Sequence, residues 1–154
     1  MIPATTTRVQ ENTDEGVNER IHQQTKRNIA YFAEKGGDGI DRRLEELDRE
    51  WDVERSLEAN AASIALLGLG LGAFVDRRFF VLPALVTGFL LQHAVQGWCP
   101  PLPILRRLDI RTASEIETER YSLKVIRGDF DKLPEKKAEW GEAEIGRIVK
   151  AVNR

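Results

Sequence analysis

The single cysteine of the chain, Cys99, and one of its two histidines, His93, lie together in an uncharged stretch that reads FLLQHAVQGWCPPLP over residues 89–103. A thiol in that position could accept a sulfane sulfur as a persulfide or form a disulfide with a second copy, provided a nearby cation or a helix N-terminus lowers its pKa. Cys99 instead follows the expected C-terminus of a helix, which opposes the thiolate; Arg106 and Arg107 would offset this if the chain folds back. A packed, structural thiol is therefore the preferred reading, with a reactive thiol as the alternative. Positions 93 and 99 do not share a helical face. No metal pair is expected from them, and haem ligation through Cys99 and Pro100 lacks further ligands. His93, with Gln92 and Gln96, reads as a polar group that reaches interfacial water or bonds across a dimer.

Other patterns that resemble chemical sites lack their context. GLGLGA over residues 68–73 fits a dinucleotide fingerprint through Gly68, Gly70 and Ala73. No acidic residue follows about twenty positions later to hold a ribose, and no alternation of strands and helices surrounds it. The carboxylates between Asp41 and Glu58 ride a solvated face rather than a pocket, so acid–base catalysis is unsupported. Arg127-Gly128-Asp129 reads as a helix ending. No set of nucleophile, base and orienting group can be assembled from the sequence, and the chain is read as a non-enzyme with neither cofactor nor metal.

The elements around these residues divide by charge. Charged residues make up 31% of the 154, yet from Ala59 to Leu105 only Asp76, Arg77 and Arg78 are charged. The mean hydropathy of -0.38 thus averages an apolar centre with two polar ends. A net charge of -2 and the lack of a basic patch interleaved with aromatics exclude nucleic acid as an expected partner. The N-terminus lacks the layout of a signal peptide.

Residues 1–12 are polar, Thr-rich and aperiodic and are read as a disordered arm. Over 13–58 amphipathic cytoplasmic helices are expected: one capped by Thr13 and stopped at Gly36-Gly37, the next carrying Ile40, Leu44, Leu47 and Trp51 on one face. Those four form a candidate seam for a second copy or a protein partner. With no turn signal between Ile40 and Val75, that helix is expected to run on into an uncharged span of about 25 Å from Ala59, at about 1.5 Å per residue. Asp76-Arg77-Arg78 turns the chain, and Phe79 to Leu105 is again uncharged. The region 59–105 therefore reads as a transmembrane helical hairpin. Ala61, Ala65, Gly68 and Gly72 on the first span, with Ala84 and Gly88 on the second, give small-xxx-small faces for helix packing. Pro83 falls in the first turn of the second helix, where it is tolerated. Thr112 and Glu115 fit a capping box that starts a cytoplasmic helix within 106–130, stopped by Gly128. A C-terminal tail over 131–154 is weakly amphipathic through Trp140, Ile145, Ile148 and Val149.

From about Asp48 to Thr112 the chain resembles the YgaP-like transmembrane domain family of small bacterial inner-membrane proteins. The residues that carry this are ERSL at the first span, LLGLGLGAF, FFVLPALVTGFLL, and above all the closing GWCPPLPILRRLDIRT. ELDREW before the hairpin and ERYSLKVIRGDF after it look like a proteobacterial subgroup. The resemblance implies a two-helix membrane hairpin, often dimeric and sometimes fused to a rhodanese domain. The rhodanese active-site loop is absent from this sequence, so sulfurtransferase activity does not carry over.

The expected fold is all-α: a two-helix transmembrane hairpin with amphipathic helical extensions on both sides. The arginines flanking the hairpin put both termini in the cytoplasm by the positive-inside rule, with Trp98 near the inner interface. The expected function is a bacterial inner-membrane anchor, dimeriser or scaffold whose partners are the lipid bilayer, a second copy and a cytoplasmic protein. Two alternatives are a sulfur-carrying or redox protein that uses Cys99, and a soluble helical-bundle interaction module.

Overall fold

Helix starts and stops partition the chain much as its caps and glycines dictate. The computed structural model describes residues 4–131 and 141–152, and among these the secondary structure is helical throughout, with no strand. The helices are α1 (Arg8–Glu11), α2 (Glu15–Lys35), α3 (Gly37–Arg49), α4 (Val53–Phe74), α5 (Val81–Gln96), α6 (Leu102–Arg107), α7 (Ala113–Arg127) and α8 (Glu142–Val152). A 3-10 turn, Arg77–Phe80, joins α4 to α5. Gly36 and Gly128 end α2 and α7 in the left-handed region, which glycine enters without steric cost. The capping box of α7 forms as expected: the Thr112 N–H donates to Glu115 Oε2 at 2.8 Å, and the Glu115 N–H donates to Thr112 Oγ1 at 3.3 Å.

The continuous helix expected from Ile40 to Val75 is broken at residues 50–52. Asp52 takes an extended backbone and its carboxylate accepts the Arg55 N–H at 2.7 Å, so it caps α4. The Val53 N–H donates to the Arg111 carbonyl at 2.9 Å, and Glu50 receives Arg111 through two bonds of 2.7 Å. Tertiary partners thus replace the helical ones. Trp51 lies in the break, 49% exposed, with the Arg55 guanidinium 4.4 Å over its ring.

The described residues form two compact units, each considered by itself: Met1–Gln24 with Glu50–Ile116, and Thr25–Arg49 with Glu117–Arg154. These cut across the segments expected from charge alone, because sequence-distant helices share each core.

In the first unit α4 and α5 run antiparallel. A Cβ on Gly68 would lie 2.7 Å from Pro83 and 2.8 Å from Leu82, and one on Gly72 would lie 2.7 Å from Phe80. These two glycines, with buried Ala61 and half-buried Ala65, provide the close approach. Ala84 and Gly88 do not share in it: both are exposed, and a Cβ on Gly88 would meet nothing within 4 Å. They occupy the opposite side of α5, a register that spacing within one helix does not reveal. Gly37–Phe74 and Arg77–Gln96 each contain a window long and apolar enough to cross a membrane, yet only 17% and 6% of those windows are buried.

The expected disordered arm is ordered from residue 4 onward. Val9 of α1 inserts into a core of Val53, Leu57, Cys99, Leu102 and Leu105, with Ile110 packed against it. Burial of one apolar side chain, about 2 kcal/mol, is enough to hold such a short turn when its ends are also bonded. Asn12 supplies one such bond, donating to the Gln96 carbonyl at 3.0 Å. Beside this core the Arg106 side chain, 1% exposed, donates to both Glu115 oxygens at 2.7 Å, to the Ile110 carbonyl at 3.0 Å and to Asn18 Oδ1 at 2.9 Å.

The second unit buries Ile40, Leu44 and Leu47 within a single copy of the chain. This corrects the expected seam, since those side chains are already occupied in intramolecular packing. Its polar centre is Glu119, 0% exposed, which accepts from Arg43 Nε at 2.8 Å and from Asn28 Nδ2 at 3.3 Å. Arg120 pairs with Asp48 and Glu117, and Arg127 with Asp41 and Asp129. The Arg-Gly-Asp stretch is therefore closed by its own ion pair. Lys124 donates to the Val152 carbonyl of α8 at 2.7 Å, while Ile145 and Val149 remain about half exposed. Trp140 of the expected C-terminal tail lies outside the described residues.

Burial raises the affinity of the Glu115 carboxyl for its proton, but the Arg106 bonds and the Thr112 N–H together outweigh it and hold the pKa below that of an ordinary glutamate. A folded-state pKa below the unfolded one gives stability that is present above the unfolded value and lost as pH falls through the folded one. Glu115→Gln should therefore lower stability at neutral pH by about 3 kcal/mol, because Arg106 stays buried without its counter-charge. It should also flatten the acid side of the stability profile below about pH 4.5. Thermal melts of both proteins from pH 3 to 7, roughly the titration range of a carboxylate, check this; parallel profiles would contradict it.

Candidate functional site

The end of α5 brings together residues that the sequence spacing keeps apart. Gly97 caps the helix in the left-handed conformation, φ 76°, and donates to the His93 carbonyl at 2.7 Å. A Cβ at Gly97 would fall 2.7 Å from the backbone oxygen of Arg8, so the residue is required both by its φ and by the approach of α1. The chain turns there, and Cys99 follows as a buried member of the core formed with Val9, Val53, Leu57, Leu102 and Leu105.

His93 is 3% exposed and Cys99 2%. The His93 Nε2 faces Glu54 Oε2 at 3.1 Å, and Arg8 donates to Glu54 Oε1 at 2.8 Å. The other ring nitrogen, Nδ1, is buried and finds no hydrogen-bond partner among the described residues. A buried nitrogen left unbonded costs about 1–3 kcal/mol, so it marks a position held for some other reason. Arg106 and Arg107 do not supply the cation suggested for the thiol. Arg106 is committed to Glu115, Ile110 and Asn18, and Arg107 is exposed.

Cys99 lines an apolar groove of about 530 Å³, with Leu57, Ala61, Val86, Phe89 and Ile104 among its walls. The thiol, 2% exposed, therefore borders an apolar space. Among the described residues no group of three or more His, Cys, Asp and Glu side chains is disposed to hold a metal ion. Glu54 was missed in the sequence because its solvated neighbours in the Asp41–Glu58 run concealed it. Its position two residues after the cap Asp52, on the first turn of α4, was the available signal. The fingerprint glycines lie inside α4, where Gly68 and Gly72 serve packing and Gly70 meets nothing within 4 Å.

Compared with family models, characterised proteins and solved structures, the chain matches none of them.

Because Cys99 is reached through an apolar groove, its reactivity should depend on the polarity of the reagent more than on its strength. A neutral alkyl methanethiosulfonate should label native protein at least about tenfold faster than a trimethylammonium methanethiosulfonate, and denaturation should remove most of the difference, since exposure then governs access to the thiol. Equal native rates would show the thiol open to water.

Proposed function

We propose that this protein is a two-helix membrane anchor, with α4 and α5 crossing the bilayer as a hairpin and the polar helices held on the cytoplasmic side as a scaffold. The observation that carries the reading is the outward face of these helices: Leu66 is 70% exposed, Leu67 61%, Leu91 66% and Phe74 90%. Each large apolar side chain left in water forgoes about 1.5–3 kcal/mol, and soluble monomers rarely expose contiguous apolar patches of more than a few hundred Å². A lipid environment removes that cost. A soluble bundle would have to bury these same faces.

Three polar side chains of the spans fit lipid as well. Asn60 donates to the Ser56 carbonyl, Ser63 to Ala59 and Thr87 to Pro83, each at 2.7 Å. They satisfy themselves within their own helices, as a bilayer demands. Arg77 and Arg78 lie at the connecting turn, against a larger number of arginines around the opposite ends, which supports cytoplasmic termini in a bacterial inner membrane. The resemblance to YgaP-like transmembrane domains supports the same arrangement. Ala84 and Gly88, turned away from α4, provide the small-residue surface through which two copies associate.

Expressed protein should remain in the membrane pellet after an alkaline carbonate wash and enter the supernatant only with detergent. Release as a monodisperse soluble species would refute the anchor. In detergent, Ala84→Ile with Gly88→Ile should convert the dimer to monomer without loss of helicity; an unchanged oligomer mass would remove those residues from the interface.

A further inference from the structure

We propose that the turn between α4 and α5 binds the phosphate of a monoanionic phospholipid, with Arg77 and Arg78 as its cations and Phe74, Val75 and Phe80 as the surface that the lipid chains cover. This site rests on the reading of α4 and α5 as a membrane hairpin, and it names a ligand for the outer end of that hairpin. From Ala59 to Leu105 the formal charges are those of Asp76, Arg77 and Arg78, so the region carries one net positive charge, all of it at this turn. The Asp76 carboxylate is engaged by the backbone, accepting the Arg78 N–H at 2.8 Å. Both arginine side chains are exposed, and neither forms an ion pair among the described residues. Gly72, Phe74, Val75, Asp76, Arg77 and Phe80 are among the residues that line an open cleft of about 610 Å³, within the size of small-ligand sites, about 300–1,000 Å³. One wall of it is fixed, since the Phe80 ring lies so close to Gly72 that a Cβ there would fall 2.7 Å away.

The chemistry of the turn selects this ligand. A guanidinium presents a planar fork that meets two phosphate oxygens at once. At the end of a spanning helix its stem lies along apolar surface while its head stays among polar groups, which places it at the depth of the lipid phosphates. Phe74 and Val75, 90% and 69% exposed, come immediately before Asp76 and Arg77 and need a hydrocarbon covering of their own. A free phosphate would answer the cations and leave those side chains bare, whereas a phospholipid answers both. Asp76 opposes a second negative charge, so a headgroup with one net charge balances the turn. A zwitterionic headgroup would bring an ammonium group against the two guanidinium groups and leave the net charge unanswered.

Full-length protein in neutral detergent, titrated with phosphatidylglycerol or with phosphatidylcholine of the same chains and read by native mass spectrometry, should hold the first about fivefold more tightly, the advantage of one net charge at a membrane surface. Arg77→Gln with Arg78→Gln should remove that preference while the protein stays in the carbonate-washed pellet, so that loss of the lipid site and loss of the anchor are read separately. Arg77→Lys with Arg78→Lys keeps the charge but not the fork, and should restore only part of the preference. Asp76→Asn, which keeps the cap and removes the opposing charge, should widen the preference by about fivefold again. Inorganic phosphate in large excess should leave the lipid bound. The proposal is overturned if the wild-type protein holds the two lipids alike, or if the glutamine variant keeps the preference. It is equally overturned if the lysine variant keeps the preference in full, which would reduce the site to diffuse attraction, or if inorganic phosphate displaces the lipid.

Discussion

Much of the first unit depends on the Arg106 guanidinium, which is withdrawn almost wholly from solvent and answered on three sides. It reaches Glu115 at the start of α7, the Ile110 carbonyl in the connection before it, and Asn18 on α2. A charge so placed would be prohibitive without such partners, and its worth lies less in net stability than in fixing which segments must meet. The left-handed Asp109, φ 61°, lies in the connection that it spans, and Arg20 holds the Asp109 carboxylate from α2 at 2.8 Å. Since α6 carries both Arg106 and the core residues Leu102 and Leu105, fixing this guanidinium also fixes the floor beneath Cys99.

The polar and apolar parts of the chain solve different problems. In the second unit Glu119 and Arg43 form a buried ion pair in which the guanidinium also lies 5.4 Å from the Phe32 ring, so that the charge is neutralised and its apolar edge covered. On α4 and α5 nearly the reverse holds, with apolar side chains outward and the glycine contacts inward. Such a distribution makes sense when the surrounding medium changes along the molecule.

The elements governed by local chemistry were legible in the sequence. Thr112 and Glu115 announce the start of α7, Gly36 and Gly128 the stops, and Pro83 the first turn of α5, because caps and turns are decided within a few residues. What escaped depends on distant partners. The break at residues 50–52 follows from Arg111 capturing Glu50 and Val53; the ordering of residues near Val9 follows from a core built by α4 and α6. The contact of His93 with Glu54 was hidden for the same reason, and Gly97 could have been a mere helix end until Arg8 packed against it. Ala84 and Gly88 had the correct spacing, but spacing gives a face without saying what lies opposite.

The same contact makes the N-terminal turn part of whatever Cys99 does. Arg8 backs Gly97 through its main chain and holds Glu54 through its side chain, while Val9 closes the core over the thiol. A fusion, a cut or a modification introduced before Asn12 would therefore act as a distant control on the cysteine, loosening the reversal of the chain and the carboxylate together. Tags placed at that end are not neutral handles for this protein.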